Sequence, residues 1–105
     1  MAQFDIYINP LAASRDLVPF VVDVQSTLID QLPTRLVLPI SRVGASKSKL
    51  PTNLCPTVEI GGEKLSLMPH LAAPFSAKLL RKPVASLAHR GGEIAAALDA
   101  VLSGF

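Results

Sequence analysis

Apolar residues in this chain keep a period of two for most of its length and take up a helical period only beyond Pro83. That one change of period restricts the fold to a β-rich body closed by a C-terminal helix. "QFDIYIN" alternates Phe4, Ile6 and Ile8 against Asp5, Tyr7 and Asn9, as a half-buried strand does. "FVVDVQS" sets Phe20, Val22 and Val24 on one face and Val21, Asp23 and Gln25 on the other. "RLVLPIS" reads as a third strand, in which Pro39 lacks a ladder donor and predicts an edge or a bulge. "PTVEI", "GG" and "EKLSLM" outline a hairpin, with Gly61 and Gly62 free to adopt the positive φ of a tight turn. A further short strand is expected around "SAKLLRK", residues 76–82.

The helical segment places Leu87, Ile94, Leu98 and Val101 on one face, with Ser86 as N-cap. Gly91 and Gly92 interrupt it at about 1 kcal/mol each relative to alanine, so either its first turn is weak or something packs close against them. The fold class is mainly β with a C-terminal α-helix, a small barrel or twisted antiparallel sheet. Residues 1–105 are expected to form one domain, with strands over roughly 3–80 and the helix over roughly 86–103.

Half of the 105 residues are hydrophobic and only 17% are charged, with a mean hydropathy of +0.42. Such an excess predicts either a very compact core or apolar surface committed to a partner, for which a symmetric dimer is the commonest choice. A net charge of +2 is too small and its ten cations too dispersed for a nucleic-acid binder. The single cysteine, Cys55, excludes an intramolecular disulfide and fits a reducing cytoplasm, as a buried thiol rather than a nucleophile. With no basic-plus-apolar leader and no apolar run of spanning length, a soluble intracellular protein with no membrane partner is expected.

Signs of catalysis are sparse. His70 and His89 lie in unrelated contexts without metal-ligand spacing, and no cofactor or metal is implied. Asp23, between two valines, could act as a general base, but a buried carboxylate more often accepts hydrogen bonds, and Arg35 on the next strand is its expected partner. No phosphate-cradling loop or nucleophile elbow is present, so a binding protein fits better than an enzyme.

The succession "QF.IY", "DVQS" at residues 23–26, "RLVLPI" at 35–40, "LCPTVEIGGE" and "LAHR" at 87–90 resembles the CcdB family, toxins of type II toxin–antitoxin pairs, over nearly the whole chain. The resemblance implies a dimeric SH3-like barrel of the CcdB/Kid type. It also implies a non-enzymatic poison that binds the DNA gyrase A subunit and traps its cleaved-DNA complex. A CcdA-like antitoxin would neutralise it, and operator DNA would be bound only together with that antitoxin. Carried over residue by residue, the gyrase-binding positions are Leu28, Ile29, Asp99, Leu102, Ser103, Gly104 and Phe105. The family's tryptophan before the glycine is here Ser103, and the chain has no Trp. Either the Phe105 ring takes over its stacking, or the chain binds its antitoxin without poisoning. The loop 10–18 and the segment 44–54 are the expected antitoxin surface, with Arg15, Lys47 and Lys49 facing acidic side chains. A ribonuclease toxin of the MazF/Kid type shares the barrel, and Arg35, Asp23 and His70 would be its dispersed candidates.

Overall fold

The structure is a computed structural model that describes residues 2–29, 31–42 and 55–103. Among the described residues seven strands form one antiparallel sheet: β1 (Asp5–Ile8), β2 (Phe20–Asp23), β3 (Thr34–Ser41), β4 (Thr57–Ile60), β5 (Glu63–Leu67), β6 (Ala73–Ser76) and β7 (Ala85–Ser86). Their order is β4-β5-β3-β2-β1-β7, with β6 also paired to β3. The sheet curls into a half-barrel, and the C-terminal helix, α1 (Gly91–Ser103), follows it. The mainly β architecture with a C-terminal helix is therefore as expected.

Period-two alternation puts Ile6, Val22, Leu38, Ile40, Leu65 and Leu67 on one face, where they pack with Leu87 and Ile94. The opposite face is also covered: Tyr7, Val21 and Val37 pack with Leu80 and Phe75. That second layer corrects the reading of β1 as buried on one side, since Tyr7 and Asn9 are buried while Ile8 is 52% exposed. The cover comes from residues 73–80, whose strand lies earlier than expected. β6 ends at Ser76, whose Oγ accepts the Lys78 N–H and starts a 3-10 turn over Ala77–Leu79, so that Leu80 turns inward.

Pro39 is not on an edge, because β3 is flanked on both sides. One side pairs with β2 over residues 37–40; the other pairs with β6 over residues 34–37 and with β5 over 40–41. Pro39 falls where that neighbour changes, so its missing N–H breaks no ladder, and its carbonyl still accepts the Met68 N–H. The β4–β5 hairpin is as expected, with Gly61 at φ +60° and Gly62 at +82° between Ile60 and Glu63.

The helix begins later than expected. Ser86 Oγ accepts the Ala88 N–H and opens a 3-10 turn over Ala88–Arg90, and the α-helix starts only at Gly91. Its buried stripe is Ile94, Ala97 and Ala100, with Leu98 half-buried; Val101, expected on that face, is 39% exposed. Small residues at 97 and 100 allow close approach of the helix, and it packs chiefly on the 69–71 and 88–90 turns.

Of the two helical glycines, only Gly91 is closely approached. A Cβ there would stand 2.6 Å from Phe4 Cε2, whereas nothing lies within 4 Å of one at Gly92. Phe4 itself holds φ +72°, an unusual conformation for a bulky residue, fixed by bonds from its N–H to the Asp23 carbonyl and to its carbonyl from the Leu87 N–H. The ring therefore wedges the start of the helix against the sheet. Gly91→Ala is expected to destabilise by about 1–3 kcal/mol despite its better helix propensity. Gly92→Ala should be neutral or stabilising by up to about 1 kcal/mol. Urea unfolding of both variants checks the pair.

Candidate functional site

"DVQS" is a strand end that turns into a hydrogen-bonded clamp. Asp23 and Arg35 are both 0% exposed, and Arg35 Nε and Nη2 each donate to Asp23 Oδ2 at 2.8 Å. Asp23 Oδ1 accepts the Gln25 N–H at 2.9 Å, and Arg35 Nη2 also reaches the Gln25 carbonyl at 3.3 Å. The Gln25 side chain extends the network: its Oε1 accepts the Leu36 N–H at 3.0 Å and its Nε2 donates to the Ile29 carbonyl at 2.8 Å. Ser26 completes it, its Oγ accepting the Leu28 N–H. Within this network Arg35 Nη1 has no partner among the described residues.

The clamp presents the 3-10 turn Thr27–Ile29 at the surface. Leu28 there is 92% exposed and Ile29 is 49% exposed, the largest exposure of any big apolar side chain among the described residues being that of Leu28. The network beneath the turn thus leaves two neighbouring aliphatic side chains, Leu28 and Ile29, open to solvent.

The end of α1 is a second apolar tip. Asp99, Leu102 and Ser103 all point away from the buried stripe, and Leu102 is 85% exposed. Ser103 Oγ donates back to the Asp99 carbonyl one turn earlier at 2.7 Å, which commits the hydroxyl to the helix. Gly104 and Phe105 lie outside the described residues, as do Lys47, Lys49 and the 44–54 segment. The gyrase-binding positions of the sequence reading thus fall on two elements: Asp99, Leu102 and Ser103 share the helix end, while Leu28 and Ile29 share the β2–β3 turn. The turn is not among the helix's chief packing partners.

Arg15 stands on the loop between β1 and β2, which one buried side chain organises. Asn9, 2% exposed, donates from Nδ2 to Ser14 Oγ and the Val18 carbonyl, and its Oδ1 accepts the Leu11 N–H. Arg15 Nε then donates to the Asn9 carbonyl at 2.6 Å. On the far side of the loop Arg42 donates to the Asp16 carbonyl and pairs with Glu63 at 2.6 Å.

Residues 3–104 match the family model described as CcdB protein. The chain belongs to the CcdB family. It is a toxin–antitoxin toxin of the CcdB type, and the curled antiparallel sheet with one C-terminal helix is consistent with the CcdB fold.

Within this CcdB-family chain the other reactive side chains have structural surroundings. Cys55 is buried, its Sγ 4.0 Å from His70 Nδ1, and desolvation raises its thiol pKa, which disfavours a nucleophilic thiolate. His89 is exposed, and Arg90 beside it forks onto Glu93 while donating to the Thr57 carbonyl at 2.7 Å. Burial foremost, then the Asp5 and Asp23 carboxylates, raise the Tyr7 pKa against the opposing effect of Arg35. No helix among the described residues is long and apolar enough to cross a membrane.

Sequence reasoning found the Asp23–Arg35 pair but missed Gln25 and Asn9, the two amides that fix the loops. Their signal was available: each is a carboxamide at the end of a strand, directly before a chain reversal. Asp23→Ala is expected to cost on the order of 3–5 kcal/mol, because it leaves a buried guanidinium unpaired. Gln25→Ala should cost only about 1–2 kcal/mol while accelerating amide exchange selectively at Leu36, whose N–H it leaves without its acceptor. Hydrogen-exchange NMR on the two variants distinguishes the global effect from the local one.

Proposed function

We propose that this CcdB-family protein is a non-enzymatic toxin of the cytoplasm that binds the DNA gyrase A subunit, holds the cleaved-DNA complex and so inhibits growth. A CcdA-like antitoxin neutralises it, and the active species is a homodimer that meets operator DNA only with that antitoxin. The observation that carries this reading is the exposure of Leu28 and Leu102, 92% and 85%, at positions where the family resemblance puts gyrase contacts. Exposed aliphatic groups on firmly held elements suit a partner surface, and Phe105 supplies the aromatic group that Ser103 lacks.

The ribonuclease alternative is less well supported. Of its candidates, Asp23 and Arg35 are 0% exposed and committed to each other, so neither is open to a phosphodiester. A chain that binds antitoxin without poisoning is the second reading, favoured by Ser103, whose hydroxyl bonds back into the helix at 2.7 Å.

Calorimetric titration of purified gyrase A subunit into this protein tests the proposal. Saturable binding is expected, weakened by about tenfold or more by Leu28→Asp, by Leu102→Asp and by removal of Phe105. Stability should change by no more than about 0.5 kcal/mol, since Leu28 and Leu102 are exposed. Binding indifferent to all three changes would remove the proposed surface, and the absence of binding would leave the antitoxin-only reading. For the antitoxin, alanine at Arg15, Lys47 and Lys49 together should lower affinity and flatten its salt dependence.

A further inference from the structure

A cleft of about 390 Å³ opens beside β1, on the side of the sheet away from the helix, and is lined by Tyr7, Ile8, Arg15, Leu79, Arg81 and Lys82 among others. Two distant pieces of sequence build it. The β1–β2 loop delivers Arg15, whose stem is held by the bond from Nε to the Asn9 carbonyl, and the segment after the 77–79 turn delivers Arg81 and Lys82. Read along the sequence, "KLLRK" is a solvated basic run; in the fold, two of its cations, Arg81 and Lys82, line the same cleft as Arg15, with the buried Tyr7 ring among the lining residues. Among the described residues no carboxylate lines the cleft.

We propose that this cleft docks an acidic peptide segment that carries aliphatic side chains, contributed by an antitoxin-type partner. The proposal deepens the antitoxin reading above and rests on it for the source of the segment. Three cations with no lining acid make the wall complementary to carboxylates. The apolar members decide against a nucleic-acid backbone: Ile8 is 52% exposed and Leu79 is 51% exposed, and a phosphodiester chain has no aliphatic groups to cover them. A segment alternating carboxylates with leucines would satisfy both walls at once, and a disordered one could order on the loop that Asn9 already holds rigid.

The cleft carries its own reporter, because Tyr7 is the only tyrosine and the chain has no tryptophan. The full-length protein is titrated with a short synthetic peptide of Glu-Glu-Leu repeats, following Tyr7 emission and heat of binding together. Polyglutamate and oligothymidylate of matched charge serve as comparators. The expected result is saturable, salt-sensitive binding of the repeat peptide, tighter than that of either comparator. The double variant Arg81→Ser/Lys82→Ser, altered only at exposed residues, should weaken it by about tenfold or more. The proposal is overturned if neither emission nor heat responds to the peptide, if the double variant binds it as well as the parent, or if oligothymidylate binds more tightly. A CcdA-like antitoxin that binds the parent and the Arg81→Ser/Lys82→Ser variant equally well would remove the cleft alone, whereas one that binds neither would remove the antitoxin reading on which the cleft rests.

Discussion

A carboxylate and a guanidinium, both removed from water, fix the centre of this protein. The Asp23–Arg35 pair joins the end of β2 to the start of β3, and both of its members also bond to the Gln25 backbone. Burying two charges is costly, and the attraction between them offsets that cost only when geometry and extra hydrogen bonds are good. Here Asp23 Oδ2 takes two donors and Oδ1 a third, and Arg35 also reaches the Gln25 carbonyl. The consequence is positional. Gln25 is held from its backbone, and its side chain in turn sets the carbonyl of Ile29 beneath the exposed Leu28.

The same economy of local constraint places the helix. Phe4, held at positive φ between the Asp23 carbonyl and the Leu87 N–H, lays its ring where Gly91 has no side chain. The sheet can then stay curled with Ile94 in its concave core and Leu102 in solvent. One end of β2 thus governs two distant features: its Asp23 side chain underlies the β2–β3 turn, and its Asp23 carbonyl anchors the residue that wedges the helix. Both apolar tips stand on parts of the molecule braced by the same strand end.

What could be read from the sequence was whatever depends on neighbours in the chain or on one specific pairing. Two glycines between alternating strands suit a tight hairpin, and a buried aspartate between valines needs hydrogen-bond donors, so the Gly61–Gly62 turn and Arg35 as the expected partner could be named in advance. A close approach at a helical glycine was legible as one of two explanations, and Phe4 decides it. What could not be read depends on which layer covers which face. Ile8 fits its pattern yet is exposed at the end of β1, while Tyr7 on the other face is covered by Leu80 and Phe75; Val101 is exposed because alanines 97 and 100 carry the helix contact instead. Pro39 argued for an edge because a sequence shows one missing donor but not the exchange of β6 for β5 beside it. At the site, family resemblance supplied Leu28 and Leu102 as positions, and only the fold shows how far each stands out into solvent.

The central claim is that this CcdB-family fold presents its apolar tips to gyrase. The most direct measurement is DNA cleavage in a reaction of purified gyrase, ATP and supercoiled plasmid with increasing amounts of the protein. The account expects linear DNA to accumulate after denaturation of the complex, in proportion to the protein added and only when gyrase is present. No cleavage at saturating protein would contradict it, and so would cleavage of single-stranded RNA by the protein alone that is abolished by alanine at Asp23 or Arg35.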